Sequence, residues 1–342
     1  MYIVSNNKEL KLENILTRLG LFNSFVTAKV IAIKPNFASG TYIAPDSHVV
    51  TNIDNISAFI KQTLVINPNA KVLICESDST GNGFAYEKFN HLNIPEAFKL
   101  TSDQLEHVEL VDMTRDRLEE ITNKSFKFFK GESKKLYLSK RFVEADFKVS
   151  FANLKTHSVA KYTGACKNLF GCLPDFEKSH YHPHIHYVIH DLVNGIKPDL
   201  SIVDGFYAME QNGPCNGFAT DFGFSVYSDS AVSADLCASH MIGFKVSDIK
   251  YLKLLKGKHS EDYRSIESLI KVRRAVRPQV FLRIMNSIGL TIQRVGQGTA
   301  DFGHRIHTCN STLILITTIF RPILVKIFGL EKLRRMKRRV IK

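Results

Sequence analysis

The chain of 342 residues has no tryptophan, an absence that says nothing about activity. Its cysteines exclude more. Cys75, Cys166, Cys172, Cys215, Cys237 and Cys309 include no pair with the two-residue gap of a zinc knuckle or redox motif, and none of the ferredoxin spacings occurs. No ferredoxin-type cluster is expected in this chain, and free thiols are the default for a reducing compartment. The first ten residues lack a basic start followed by an apolar run, so no secretory leader is expected and the expected location is cytoplasmic. Acidic residues are in deficit, 33 against 46 Lys+Arg, for a formal net charge of +13. A hydrophobic share of 44% with 23% charged residues still describes a globular chain with a real core.

The positive charge is confined to one end. From Lys271 to Lys342, 16 Lys and Arg face only Asp301 and Glu331, a balance of +14 that leaves −1 for residues 1–270. The division expected is an α/β domain over 1–260 and a basic helical extension over 261–342. Within the extension, Leu313–Phe320 is apolar and is followed by Arg321-Pro322, then by Ile323–Leu330 interrupted by Lys326. A membrane span needs about 20 largely apolar residues, and each central Arg or Lys costs roughly 2.5–3.5 kcal/mol. These residues argue against spanning and for lying on an anionic surface, the inner face of the cell membrane, where each Lys or Arg contributes about 1 kcal/mol. Docking of the apolar part on the domain itself ranks second. Nucleic acid ranks third, because no aromatic residue is interleaved with the basic run after Phe328.

Ahead of the extension, helix and strand signals alternate. Glu9–Leu21 and Ile56–Leu64 carry helical apolar spacing, and Lys29–Lys34, Lys71–Glu76 and Glu106–Asp112 look like strands. Asp199–Asp204 and Phe222–Tyr227 are further strands, with a Gly/Pro loop over Gly205–Pro214 between them and a helix over Ser230–Ile242. That alternation predicts a mostly parallel sheet with helices on both faces. Gly81-Asn-Gly83 lies between a strand and a helix, the context of a phosphate cradle, but Tyr86 occupies the third glycine position of a dinucleotide fingerprint. An ordinary strand-to-helix turn explains it better.

The chemically unusual residues concentrate in one stretch. Asp146–Ala152 has the composition of a buried strand and runs into Lys155, Thr156 and His157, at the strand end where open α/β sheets place ligand groups. Lys161, Thr163, Gly164, Lys167 and Asn168 follow, donors that suit a carboxylate or phosphate. Lys34, Asn36, Thr156, Lys167, Asn168 and Asn212 are the candidate binding residues. Lys155 would help hold the anion, His157 would act as acid/base, and Asp204 and Glu210 would serve as further catalytic carboxylates. His182, His184, His186 and His190 form the candidate metal set; Pro183 interrupts the first part, while His186 and His190 are four apart on a helix and share a face. A transition metal is the cofactor this set would hold. Asp235, amid Ala, Val and Leu on the last helix, needs a partner if buried.

Ile33–Phe37, Asn153–His157, Lys167–Gly171, Lys197–Leu200, Ile202–Gly205, Met209-Glu210, Asn212–Pro214 and Asp235 resemble, in order, the signature blocks of the domain-of-unknown-function 362 family, from about Ile31 to Phe244. The resemblance implies an α/β domain of unsettled biochemistry, joined in some members to a ferredoxin-type iron–sulfur module that this chain's cysteines do not provide. Gln211 stands where glycine is usual, which puts the loop geometry beside Glu210 in question. Asp112–Arg115 and the Lys/His-rich centre are similar, more distantly, to lactate racemase.

Two readings stay open. One is an enzyme acting on a small carboxylate or phosphate by acid/base or redox chemistry, metal-assisted or isomerase-like. The other is a non-catalytic protein that binds an anionic ligand at the membrane surface.

Overall fold

The structure, a computed structural model, describes residues 1–257 apart from positions 10, 38–47, 80–83, 158, 212 and 214–216, together with position 275. The chain divides into units Met1–Pro278 and Gln279–Lys342, and everything described belongs to the first. The expectations for the basic extension and for Gly81-Asn-Gly83, Asn212, Cys215 and Cys309 lie outside the described residues.

The strands in chain order are β1 (Tyr2–Ser5), β2 (Val30–Pro35), β3 (Lys71–Glu76), β4 (Val108–Asp112), β5 (Leu118–Ile121), β6 (Leu136–Ser139), β7 (Phe147–His157), β8 (Lys161–Thr163), β9 (Leu200–Glu210), β10 (Phe218–Thr220) and β11 (Ser225–Ser228). Along the main sheet the order is β1-β11-β9-β7-β2-β3-β4. The run from β9 to β4 is parallel throughout, whereas β11 and β1 close one edge antiparallel. The short strands β8 and β10 pair with the far ends of β7 and β9, and β5 and β6 make a separate hairpin.

Parallel strands covered on both faces read as unbroken apolar runs, and here successive residues feed two different cores. Ile31, Ile33, Val72, Ile74, Val149 and Phe151 face the helices Leu12–Arg18, Phe22–Thr27 and Ile53–Ile66. Ala32, Leu73, Cys75 and Val203 face the other way, against Ile185–Ile196, Ala231–Met241 and Lys250–Leu255. The expected mostly parallel sheet with helices on both faces is therefore present. From β2 the chain moves outward to β3 and β4, then returns to place β7 and β9 on the opposite side of β2. This reversal puts a topological switch point between β2 and β7, the place where open α/β sheets bind ligands beyond their strand ends.

Three expectations need correction. The helix expected over Glu9–Leu21 is Leu12–Arg18 alone; Gly20, whose φ of 71° no helix continues, separates it from a second short helix, Phe22–Thr27. The strand expected to stop at Ala152 continues to His157, and the loop expected over Gly205–Pro214 is strand as far as Glu210. Polar residues hide the continuation of β7, which pairs there with β8, and Gly205 with the following Gly/Pro signals hides that of β9, which pairs there with β10. The 204–209 segment also departs from regular pairing: Asn153 sits opposite Asp204 and Lys155 opposite Met209, so β9 carries extra residues as a bulge.

Candidate functional site

At the end of β2, Lys34 points to the same face as Ala32 and is buried. Its Nζ donates to Glu76 Oε2 at 3.1 Å and to the Pro35 carbonyl at 2.6 Å. Glu76 closes β3 and also accepts from the backbone N–H of Phe37 and Ser77. Gly171 makes this possible: a Cβ there would stand 2.9 Å from Lys34 Cε and 3.0 Å from Nζ. Asn36 is tied across to Thr51, whose hydroxyl accepts from the Asn36 N–H at 2.7 Å and donates to the Phe151 carbonyl at 2.9 Å.

The far end of β7 carries the central residues. Lys155 is fully buried, and its Nζ donates to Asn36 Oδ1 at 3.3 Å and to the Val49 carbonyl. Two residues before it, Asn153 donates through Nδ2 to the His48 carbonyl at 2.6 Å, while its buried Oδ1 has no hydrogen-bond partner among the described residues. Thr156 donates to the Gln211 carbonyl at 3.0 Å. His157 Nδ1 accepts from the backbone N–H of Val159 at 3.0 Å and of Ala160 at 3.2 Å. Because that lone pair is engaged, the neutral ring carries its hydrogen on Nε2. Burial pushes the imidazole pKa well below its ordinary value, and the positive charges of Lys167, His182, Lys155 and His186 push it the same way.

Several candidates also tie elements of the fold together. Asp204 Oδ1 accepts from the N–H of Phe206 at 2.9 Å and of Tyr207 at 3.4 Å, and Oδ2 accepts from Asn55 Nδ2 at 2.8 Å. Its carboxylate holds the bulge of β9 and the helix Ile53–Ile66. Glu210 accepts from the Thr220 hydroxyl at 3.3 Å, joining β9 to β10. Asn168 gives its amide hydrogens to the Lys34 carbonyl and to Ser150 Oγ, anchoring its helix to the sheet. Lys167, one residue before it, lies with Nζ 5.9 Å from the Phe170 ring centre.

The four candidate metal ligands do not gather. His182 and His184 lie in the 3₁₀ segment Lys178–His184, where the tight turn and flanking aromatic rings part them: His182 stacks on Phe170 at 5.9 Å and His184 lies against Phe128 at 5.3 Å. His186 stacks on Tyr251 at 6.3 Å. His190 turns to Asp191, Nδ1 to Oδ1 2.8 Å, whose carboxylate also accepts the N–H of Lys127, Phe128 and Phe129. Among the described residues no group of three or more His, Cys, Asp or Glu is placed to hold a metal ion.

A family model described as "Domain of unknown function (DUF362)" matches residues 31–240. The chain belongs to this family. It is also similar, at 32% identity over 114 residues, to a protein of Synechocystis sp. named thylakoid-associated; the match covers 31% of this chain and 36% of that relative.

In this DUF362 chain the matched region contains β2 to β9 and Asp235, and hence the whole switch point. Asp235 has the partners its burial demands, since it accepts from the N–H of Ala165 at 2.7 Å and of Cys166 at 3.0 Å. Three residues of the strand-end cluster were not among the candidates: Glu76, Lys88 and Lys178. A signal for Lys88 was present in the sequence. It shares the spacing of Ala85, Phe89 and Leu92, all buried, and a lysine on an apolar helix face needs an acidic neighbour. No helix among the described residues is long and apolar enough to cross a membrane.

Proposed function

We propose that the protein binds a small oxyanion, a carboxylate or phosphate, beyond the end of β7, with Lys155 and Lys167 supplying charge and His157 donating its Nε2–H to an anionic oxygen. The observation that carries this reading is the state of His157, a buried neutral imidazole with Nδ1 held by two backbone N–H groups and its ring acted on by two lysines. A neutral ring fixed in that tautomer polarises an oxygen; it has no free lone pair with which to abstract a proton. If the protein turns its ligand over, His157 then acts as an electrophilic donor and not as the acid/base first expected.

The test is calorimetric titration of the purified full-length protein with inorganic phosphate and with oxalate, repeated for Lys167→Met and His157→Asn. Saturable binding weakened about tenfold or more in both variants, roughly 1.4 kcal/mol, is the expected result. Binding that is absent, or equal in all three proteins, overturns the reading.

For the basic extension we propose peripheral contact with an anionic lipid surface. Its support is the charge of residues 271–342 and the thylakoid association in the name of the Synechocystis relative, of which this chain spans about a third. Flotation of the full chain with anionic vesicles, lost at high salt and with zwitterionic vesicles, is the expected outcome; flotation that ignores both lipid charge and salt removes the idea.

A further inference from the structure

Where β3 ends, three lysines are buried together. Lys34, Lys88 and Lys178 are 1, 5 and 6% exposed, and Glu76 beside them is 3% exposed. Lys34 is paired with Glu76, and Lys88 lies 3.9 Å from the same carboxylate. Arg115, at the rim, is paired with Asp78 and Asp112. The cluster thus holds four cations. Among the described residues Lys178 is the member of this set with no ion pair; its Nζ donates to Ser77 Oγ at 2.8 Å and to the Asp78 carbonyl.

We propose that Lys178 is a carbonyl-reactive amine that anchors a small aldehyde or 2-oxo acid as an imine. Ser77 donates its own hydroxyl hydrogen to the Gly171 carbonyl at 2.6 Å, so its oxygen accepts from Lys178. Two positions of the Lys178 nitrogen are therefore filled by N–H groups with acceptors, and the third meets no acceptor among the described residues. In a neutral amine that third position is the lone pair.

Burial lowers the Lys178 pKa to about 7, helped by Lys88 and Lys34 and opposed by Glu76 and Asp175. The other titratable group facing it is the Cys172 thiol, which burial pushes up to about 12 and keeps neutral.

The chemistry balances without a redox partner. The amine lone pair adds to the carbonyl carbon, the carbonyl π pair moves to oxygen, and that oxygen leaves as water with the two nitrogen hydrogens. The product is a C=N bond to Nζ. Lys34 and Lys88 each keep an N–H with no acceptor within hydrogen-bond distance among the described residues, which suits the carboxylate of a 2-oxo acid. None of this depends on the oxyanion reading at His157.

The experiment is reductive trapping on the full-length protein. Glyoxylate and borohydride are added across about pH 6 to 10, and the labelled lysines are found by peptide mass spectrometry. The expected result is an adduct at Lys178 that forms at pH 7 at least tenfold faster than at Lys99, whose side chain is 77% exposed, because an ordinary lysine is almost wholly protonated there. The Lys178 rate should level off above about pH 8. An unlabelled Lys178, or one labelled no faster than Lys99 at pH 7, overturns the proposal. Because the site is identified in the wild-type protein, the outcome does not depend on whether Lys178→Arg folds.

Discussion

The Asp235 carboxylate occupies the space a side chain at Gly164 would need: a Cβ built there falls inside 3.0 Å of Asp235 Oδ1 and of the Tyr162 ring. The carboxylate reaches this position to accept the N–H of Ala165 and Cys166, which begin the helix Ala165–Asn168. A glycine and an aspartate far apart in sequence therefore act as one joint. Gly164→Ala should cost about 1–3 kcal/mol by overpacking. Asp235→Asn should cost a similar amount, since an amide offers one acceptor oxygen where two N–H groups need one each. Urea unfolding followed by circular dichroism measures both; a cost below about 0.5 kcal/mol for either would mean the joint is slack.

The same carboxylate predicts a pH effect. Burial raises its pKa to about 7 from an ordinary 3.8, against the backbone and side-chain donors that lower it. The folded state then holds the proton more tightly than the unfolded state, so this contribution is full below about pH 4 and is lost as pH rises through 7. The stability gap between wild type and Asp235→Asn should narrow by at least about 1 kcal/mol between pH 5 and pH 8. A gap that stays constant would show the group already ionised at pH 5.

Glu76 works in the opposite direction. Burial pushes its pKa up, but Lys34, Lys88, the Ser77 N–H and Lys178 outweigh burial and hold it below the ordinary value. Its contribution is therefore present above about pH 4.5 and lost as pH falls through the folded value. Glu76→Gln leaves Lys34 and Lys88 buried without their counter-charge, which should cost about 3–5 kcal/mol at neutral pH. The loss should shrink in acid, where the wild-type carboxylate is itself neutralised; denaturant midpoints of the two proteins at pH 3.5 and pH 7 give the comparison.

Much of the sheet was legible because its strands are buried on both faces and read as apolar runs: Lys71–Glu76 was recovered to the residue. The switch point was not legible, because strand order depends on which distant segments pair. The register that sets Lys34 against Ser150 and Asn153 against Asp204 leaves no local trace. Unusual residue types drew attention to Lys155 and His157, which the structure buries on one strand end. No pattern along the chain shows that Asp204 accepts the N–H groups of the β9 bulge, or that Lys88 and Lys178 converge from separate elements. The histidine run misled for a related reason: density along the sequence does not survive a 3₁₀ turn that sends neighbouring side chains to different rings.

Gln211 tests the family comparison directly. It holds φ of 69°, the left-handed conformation that favours glycine, and its carbonyl accepts the Thr156 hydroxyl. The backbone at this position has kept a glycine geometry without the glycine. Gln211→Gly should relieve the roughly 1–2 kcal/mol that a side chain costs there and lose up to about 1 kcal/mol to the freer unfolded chain. The net change should be a gain between zero and about 2 kcal/mol in thermal or urea unfolding. A loss above about 0.5 kcal/mol would mean that the Gln211 side chain makes contacts the fold depends on.

His157 allows the oxyanion reading to be examined without knowing the ligand. Its pKa lies well below 6.5, so between those values the unfolded chain takes up a proton that the folded protein refuses. Stability from this group is present above about pH 6.5 and declines as pH falls below it. Nitrogen-15 NMR of the histidine rings should therefore show one imidazole that stays neutral, with hydrogen on Nε2, at pH 5.5, and His157→Asn should remove that signal. Phosphate affinity should then show no step at pH 6 to 7 attributable to this ring, because the donor is the neutral N–H throughout. An imidazole that titrates near 6.5, together with an affinity that climbs as it does so, would make His157 a conventional cationic ligand and return the site to simple charge attraction.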